Sequence, residues 1–154
     1  MLDIFVDADA CPVKQEVYRV AERNRLRVTL VSNSPMRRPQ KDWIELVVVG
    51  DHLDAADDWI AEHAGLDDIV ITGDVPLAAR CLVQGALVLG HAGHAFTQDN
   101  IGEALATRDL LSQLRDMGTM AGGPAPFQKK DRSRFLQRLD GMIQAVRRRR
   151  GNTS

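Results

Sequence analysis

Hydrophobic positions along the chain fall into short unbroken runs separated by amphipathic stretches, the pattern of parallel strands buried on both faces alternating with helices. Ile4-Phe5-Val6 is the first run, and it stops at Asp7-Ala8-Asp9 before Ala10-Cys11-Pro12 turns the chain into a helix. Pro12 has the fixed φ suited to a first helical turn. Val13, Val17, Val20 and Ala21 then recur at spacings of three and four, which predicts a helix over residues 13–24. Further strands are expected at residues 27–32, 45–50, 68–73 and 86–90, and further helices at 54–64, from Asp74 through Val83, and from Asp99 or Asn100 to Met117. Residues 91–97, rich in small side chains, read as a loop. The result is an α/β chain with five mainly parallel strands, for which the doubly wound order 3-2-1-4-5 is expected.

After residue 117 the pattern changes. Residues 118–126 (GTMAGGPAP) read as a Gly/Pro linker between a domain over residues 1–117 and a basic helix and tail over 127–154, expected to pack on the same domain. Residues 129–146 place Phe135, Leu139, Met142, Ile143 and Val146 on one side and basic residues on the other, ahead of the run Arg147 to Arg150. The net charge of −1 hides an asymmetry: residues 1–126 carry 11 Lys/Arg against 19 Asp/Glu, whereas 127–154 carry 9 against 2. An acidic body with a basic tail suits a polyanionic partner, although self-association or solubility produces the same imbalance. With 154 residues, 44% hydrophobic, the chain can bury a full core without staples. Cys11 and Cys81 lack a zinc or disulfide spacing, and Cys11 reads as a buried helix-start residue or a reactive thiol. The run Leu46 to Val49 is too short to span a membrane and Met1-Leu2-Asp3 does not open a leader, so a cytoplasmic protein is expected.

Candidate chemistry gathers at the strand ends. Ligands of open α/β sheets bind outside the carboxyl ends of the strands. Asp7 and Asp9 stand there, and Asp74-Val75-Pro76 repeats the sequence of strand, Asp, Pro and helix. Adjacent strands one and four, about 4.8 Å apart, would bring Asp7 and Asp74 together. Two close carboxylates repel unless they share a proton or a cation, which favours a divalent metal. One Asp of each pair can equally cap its helix. Asp54, Asp57 and Asp58 share one side of the second predicted helix, where they suit either the helix dipole or the same cation. Thr72 is placed to orient a carboxylate or water, or is simply a β-branched strand residue. Asp99 and Asn100 cap a helix or add a polar group to the centre.

His52, His63, His91 and His94 read as surface or loop histidines, since Mg²⁺ or Mn²⁺ held by oxygen does not need imidazole. Arg37, Arg38 and Lys41 follow the second strand, and Lys129, Lys130 and Arg132 open the basic helix. Both groups are candidates for phosphate contacts, as are the terminal arginines, while Arg108 and Arg115 either face phosphate or are solvated. With 2 Trp, 1 Tyr and 4 Phe, base-specific reading of RNA is not indicated.

The segments IFVDADACPVK, DAADDWI, VITGDVPLA, TQDNIGEALATRDLLSQLR and GGPAPFQKKDRSRF together resemble the bacterial YaiI/YqxD family, which is similar in turn to the PIN-like nuclease superfamily. That resemblance implies a three-layer α/β/α sandwich with a five-stranded mainly parallel sheet, and acids at the strand ends binding Mg²⁺ or Mn²⁺ for phosphodiester hydrolysis. The first-strand Asp corresponds to Asp7, the helical acid to Asp57 or Asp58, and the T-x-D pattern to Thr72-Gly73-Asp74; Asp9, Asp54 or Asp99 would supply a fourth. The expected function is a metal-dependent nuclease acting on RNA rather than DNA, with Asp7, Asp58 and Asp74 as principal ligands. Two rivals stand beside it. An apolar strand ending in Asp7-Ala8-Asp9 also resembles the haloacid dehalogenase phosphatases, although Ala78 occupies the position of a later acid of that superfamily. The other rival is a non-catalytic nucleic-acid-binding adaptor.

Overall fold

Strand β1 (Asp3–Asp7) is the axis of the sheet, and its three central residues Ile4, Phe5 and Val6 are buried. The computed structural model describes residues 2–50, 52–118 and 126–151. On one side of β1 lie β2 (Arg27–Ser32) and β3 (Ile44–Val48). On the other lie β4 (Ile69–Ile71), β5 (Leu87–Leu89) and β6 (Ala95–Phe96), giving the order β3-β2-β1-β4-β5-β6. The first five strands are parallel, in the expected doubly wound order. Strand direction places the ends of β1, β4 and β5 on one edge, where the order reverses between β1 and β4. That is the crevice in which such sheets bind ligands.

The sixth strand lies in a segment expected to be a loop. Residues 95–96 run antiparallel to β5, and two residues are too few to show alternation. Its turn is closed by the Gly90 N–H donating to the His94 carbonyl at 2.9 Å. Elsewhere the boundaries shift by one or two residues, β3 running from Ile44 to Val48, except that the last helix runs five residues further than expected, to Gly151.

Helices α1 (Lys14–Asn24) and α5 (Lys129–Gly151) cover one face of the sheet. Val17 and Val20 of α1 and Phe135, Leu139, Ile143 and Val146 of α5 join Ile4, Val6, Leu30 and Ile71 in one core. Each fully buried side chain of this size contributes about 1.5–3 kcal/mol, so four of them fix α5 to the body. Helices α2 (Ala55–His63) and α3 (Val75–Val83) cover the other face, with Ile60, Leu77 and Cys81 packed on Phe5, Val31, Val70 and Val88. The architecture is a three-layer α/β/α sandwich. Helix α4 (Ile101–Asp116) differs from the rest, having no fully buried residue along its 16 positions.

Both cysteines are free and buried, and burial raises the thiol pKa of each. Cys11 is therefore a packing residue. The expected linker falls largely on residues 119–125, outside the described residues. Among the described residues no helix is long and apolar enough to cross a membrane.

Candidate active site

The site begins with Thr72, wholly buried just past β4. β1 and β4 run in register from Ile4 opposite Ile69 to Val6 opposite Ile71, so the next residues, Asp7 and Thr72, face each other. The Thr72 hydroxyl donates to Asp7 Oδ2 at 2.9 Å and accepts from the Asp74 N–H at 3.0 Å. Asp74 in turn caps α3, its Oδ1 accepting from the Leu77 N–H at 2.9 Å, with Pro76 in the first turn. Asp74 thus does what a cap does, while its second carboxylate oxygen and Asp7 Oδ1 remain outside these bonds.

Helix α2 brings in the next acid. Asn33, following β2, accepts the Ala56 N–H on its Oδ1 at 3.1 Å and so fixes the first turn of α2. Asp57 lies in that turn, and its pKa is raised to about 6 by burial, then by the charges of Asp74, Asp7 and Asp54. Burial also raises Asp7, opposed by the Thr72 hydrogen bond and reinforced by Asp74 and Asp9. Asp7, Asp57 and Asp74 therefore share one electrostatic environment, and Asp54 stands at its margin.

Asp58 does not join them. Its Oδ1 accepts from Arg80 Nη1 of α3 at 2.8 Å and its Oδ2 lies 3.6 Å from His52 Nε2, and the Arg80 bond holds its pKa below the ordinary value. Of the alternatives Asp57 and Asp58, Asp57 is the one that feels the charges of Asp74 and Asp7, whereas Asp58 pairs with Arg80. Asp9 is also committed. Its two oxygens accept from the Ser32 hydroxyl at 2.8 Å and the Asn33 N–H at 2.9 Å, tying the β1–α1 turn to the end of β2. Ala10 in this turn has a φ of 60°, a left-handed conformation that such bonding helps to hold. With both oxygens engaged, Asp9 is not disposed as the acid/base partner of a phosphatase nucleophile, and Ala78 is a buried packing residue. Asp99 is exposed and is not among the charges that raise Asp7 or Asp57.

One neighbour of the site is His91, which the sequence pattern places in a loop without a role. His91 follows the end of β5, and a Cβ on Gly73 would come within 3.3 Å of its ring, so Gly73 is the contact surface for the imidazole. Its Nε2 is buried without a partner among the described residues, and burial lowers its pKa, which favours the neutral ring. The signal was present as a histidine directly after a strand-ending glycine, obscured by the flexible look of HAGH.

The basic candidates separate by edge. Arg38 donates to the carbonyl of Ile44, the first residue of β3, at 3.0 Å, and the Lys41 carbonyl accepts from the Ile44 N–H at 3.1 Å. Both sit at the amino edge of the sheet, away from the carboxylates, while Arg37 is exposed in the loop between. Helix α5 starts at the carboxyl edge: Arg132 donates to the Pro12 carbonyl at 2.7 Å, pairs with Glu16 at 3.3 Å and covers the Phe127 ring at 5.0 Å. Lys129 and Lys130, exposed one turn earlier, stand on the same edge as the acids. The terminal arginines end at the far side, with Arg147 bonded to Asn24 and Arg149 and Arg150 paired with Asp67. The expectation of a phosphate-binding run there gives way to one that fastens α5.

Carboxylate oxygens are hard donors suited to Mg²⁺ or Mn²⁺. Among the described residues no three His, Cys, Asp or Glu side chains close around an ion as they stand. The fit to a metal thus rests on donor chemistry, namely three carboxylates from β1, α2 and the head of α3 whose mutual repulsion a dication would relieve.

A family model described as "Uncharacterized BCR, YaiI/YqxD family" matches residues 5–145. The chain is 56% identical over 150 residues to a UPF0178 protein of Rhodospirillum rubrum, covering 97% of this chain and 100% of that protein. It is 58% identical over 149 residues to a UPF0178 protein of Parvibaculum lavamentivorans, covering 97% and 98%. No solved structure matches.

Proposed function

Since the chain belongs to the YaiI/YqxD family, whose description names no reaction, its chemistry is read from the site, and we propose a divalent-metal-dependent nuclease that hydrolyses phosphodiester bonds, RNA in preference to DNA. The observation that carries this reading is the shared electrostatics of Asp7, Asp57 and Asp74. Two of these carboxylates are raised, Asp57 to about 6, in part by the charge of Asp74, at the switch point of a parallel sheet. The topology and the placement of Thr72-Gly73-Asp74 are compatible with the PIN-like superfamily, and a cytoplasmic location accords with two buried free thiols.

Asp7, Asp57 and Asp74 would hold Mg²⁺ or Mn²⁺. When bound, such an ion lowers the pKa of a coordinated water and neutralises phosphate charge. The chain's own contribution is orientation: Thr72 holds one oxygen of Asp7, and the cap to Leu77 holds one oxygen of Asp74. Lys129 and Lys130, exposed on the same edge, supply positive charge for a polyanion.

The test is Mn²⁺-dependent cleavage of a labelled single-stranded RNA by the parent and by Asp74→Asn. Asparagine keeps the helix cap and removes the charge, so folding is preserved. Cleavage by the parent that the variant loses is the expected result. Equal cleavage by both, or cleavage by neither, overturns the reading.

A further inference from the structure

Helix α4 returns antiparallel along α3: Gln98, just before it, donates to the Leu82 carbonyl at 3.3 Å, whereas Leu111 and Arg115 in its last turns share a groove with Val75 at the head of α3. This groove, about 550 Å³, is floored by Val75, Phe96, Ala104 and Leu111 and carries Arg108 and Arg115. Seven residues apart, the two arginines lie on one helix face about 10.5 Å from each other along the axis. Val75 directly follows Asp74, so this end of the groove lies at the head of α3, one residue along the chain from that acid. An apolar floor with one aromatic ring and spaced guanidinium groups matches a chain of alternating flat bases and phosphates.

The lining charge favours the same occupant. Glu103 is the one acid against Arg108 and Arg115, and Arg134 Nη1 lies 3.1 Å from His94 Nε2 at the rim. Arg108 has a long contact of 3.7 Å with its neighbour Asp109, an exposed pair that a phosphate can displace. Leu111 is 37% exposed although it faces the groove, which leaves apolar surface for a base to cover.

Resting on the nuclease reading, we propose that the groove between α4 and β6 is the track for the unpaired strand flanking the scissile phosphate, so that the substrate class is single-stranded nucleic acid. Phe96 offers a stacking surface, and Arg108 and Arg115 bind successive phosphate groups. A duplex presents no free base face to such a floor.

The test is binding of a fluorescent twelve-nucleotide oligouridylate in EDTA, where no cleavage intervenes, across a range of salt. The parent, Asp74→Asn, the double variant Arg108→Ala/Arg115→Ala and Phe96→Leu are compared, with a duplex of equal length as competitor and light scattering to read mass. Asp74→Asn, with one negative charge fewer next to the groove, should bind at least as tightly as the parent. The arginine variant should lower the slope of log K against log salt by about 1.4, from two contacts at about 0.7 each for single strands. Phe96→Leu should weaken binding about 5-fold or more. Parent-like binding by the arginine variant, no binding by the parent, equal competition by duplex, or a parental dimer that the variants convert to monomer each overturns the track. If groove variants lose binding while Mn²⁺ cleavage does not depend on Asp74, the nuclease reading fails and the groove stands as a single-strand-binding surface only. Cleavage that needs Asp74 but is unchanged in the groove variants overturns the track and leaves the nuclease reading standing.

Discussion

The Thr72 hydroxyl donates to Asp7 Oδ2 at 2.9 Å across the β1–β4 pair, and the Thr72 Oγ1 accepts the Asp74 N–H at 3.0 Å. One buried hydroxyl therefore sets the orientation of the first acid and the start of the turn that delivers the second. Thr72→Val keeps the shape and removes both bonds, leaving a half-buried carboxylate without its donor. We expect a loss of about 1–3 kcal/mol in urea unfolding, a further rise in the Asp7 pKa and weaker Mn²⁺ binding by calorimetry. Thr72→Ser, which retains the hydroxyl, should recover most of both. Equal metal affinity in all three proteins would remove Thr72 from the site.

Asp57 makes stability depend on pH. Its pKa is raised from 3.8 to about 6, so between those values the folded chain keeps a proton that the unfolded chain has released. Its contribution is thus most favourable below pH 3.8 and is lost as pH rises through about 6. Asp57→Asn removes that liability. Its melting temperature should exceed the parent's at pH 7.5, with the difference shrinking as pH falls below about 6. Mn²⁺ should reverse the order by stabilising the parent more, and its affinity for the parent should climb between pH 5 and 7 as the proton is displaced. A melting difference that does not vary with pH would contradict the shared environment of Asp57, Asp7 and Asp74.

Adjacent acids on α2 have opposite fates, which a paired comparison exposes. Asp58→Asn breaks an exposed contact with Arg80 and leaves the carboxyl edge intact. Its Mn²⁺ affinity and cleavage rate should equal the parent's, whereas Asp57→Asn should lose both. A large loss from Asp58→Asn would mean that Arg80 releases the carboxylate to the site in solution.

The order of the sheet and the positions of Asp7 and Asp74 were legible because parallel strands buried on both faces write themselves as apolar runs, and an acid stands out where such a run stops. Which of Asp57 and Asp58 turns inward was not. Both fit the helical spacing, and the choice depends on Arg80, supplied by a different helix 22 residues later. Asp9 looked like chemistry because its partners Ser32 and Asn33 belong to another strand end, and sequence distance conceals that bond. The tail misled in a similar way. Four arginines in a row carry the composition of a phosphate-binding segment, yet the length of α5 takes them to the amino edge, where Asn24 and Asp67 await them.

Helix α5 is held at both ends, and the two ends should fail differently. At the amino edge Asn24 donates to the Val20 carbonyl at 2.9 Å and to Asp140 at 3.2 Å, and its Oδ1 accepts from Gln144 at 2.9 Å. Asn24→Ala removes this bridge between α1 and α5 and should cost about 1–3 kcal/mol, with faster amide exchange confined to the last turns of α5. At the carboxyl edge Gly93 has a φ of +88°, and a Cβ there would stand 2.8 Å from the backbone of Arg134 and Phe135. Gly93→Ala should cost about 1–3 kcal/mol through overpacking and the left-handed conformation. It should also lift the start of α5 with Lys129 and Lys130, so RNA affinity should fall for Gly93→Ala and hold for Asn24→Ala at matched folded fraction. Equal loss of affinity in both would assign the effect to stability alone and remove the amino end of α5 from the binding surface.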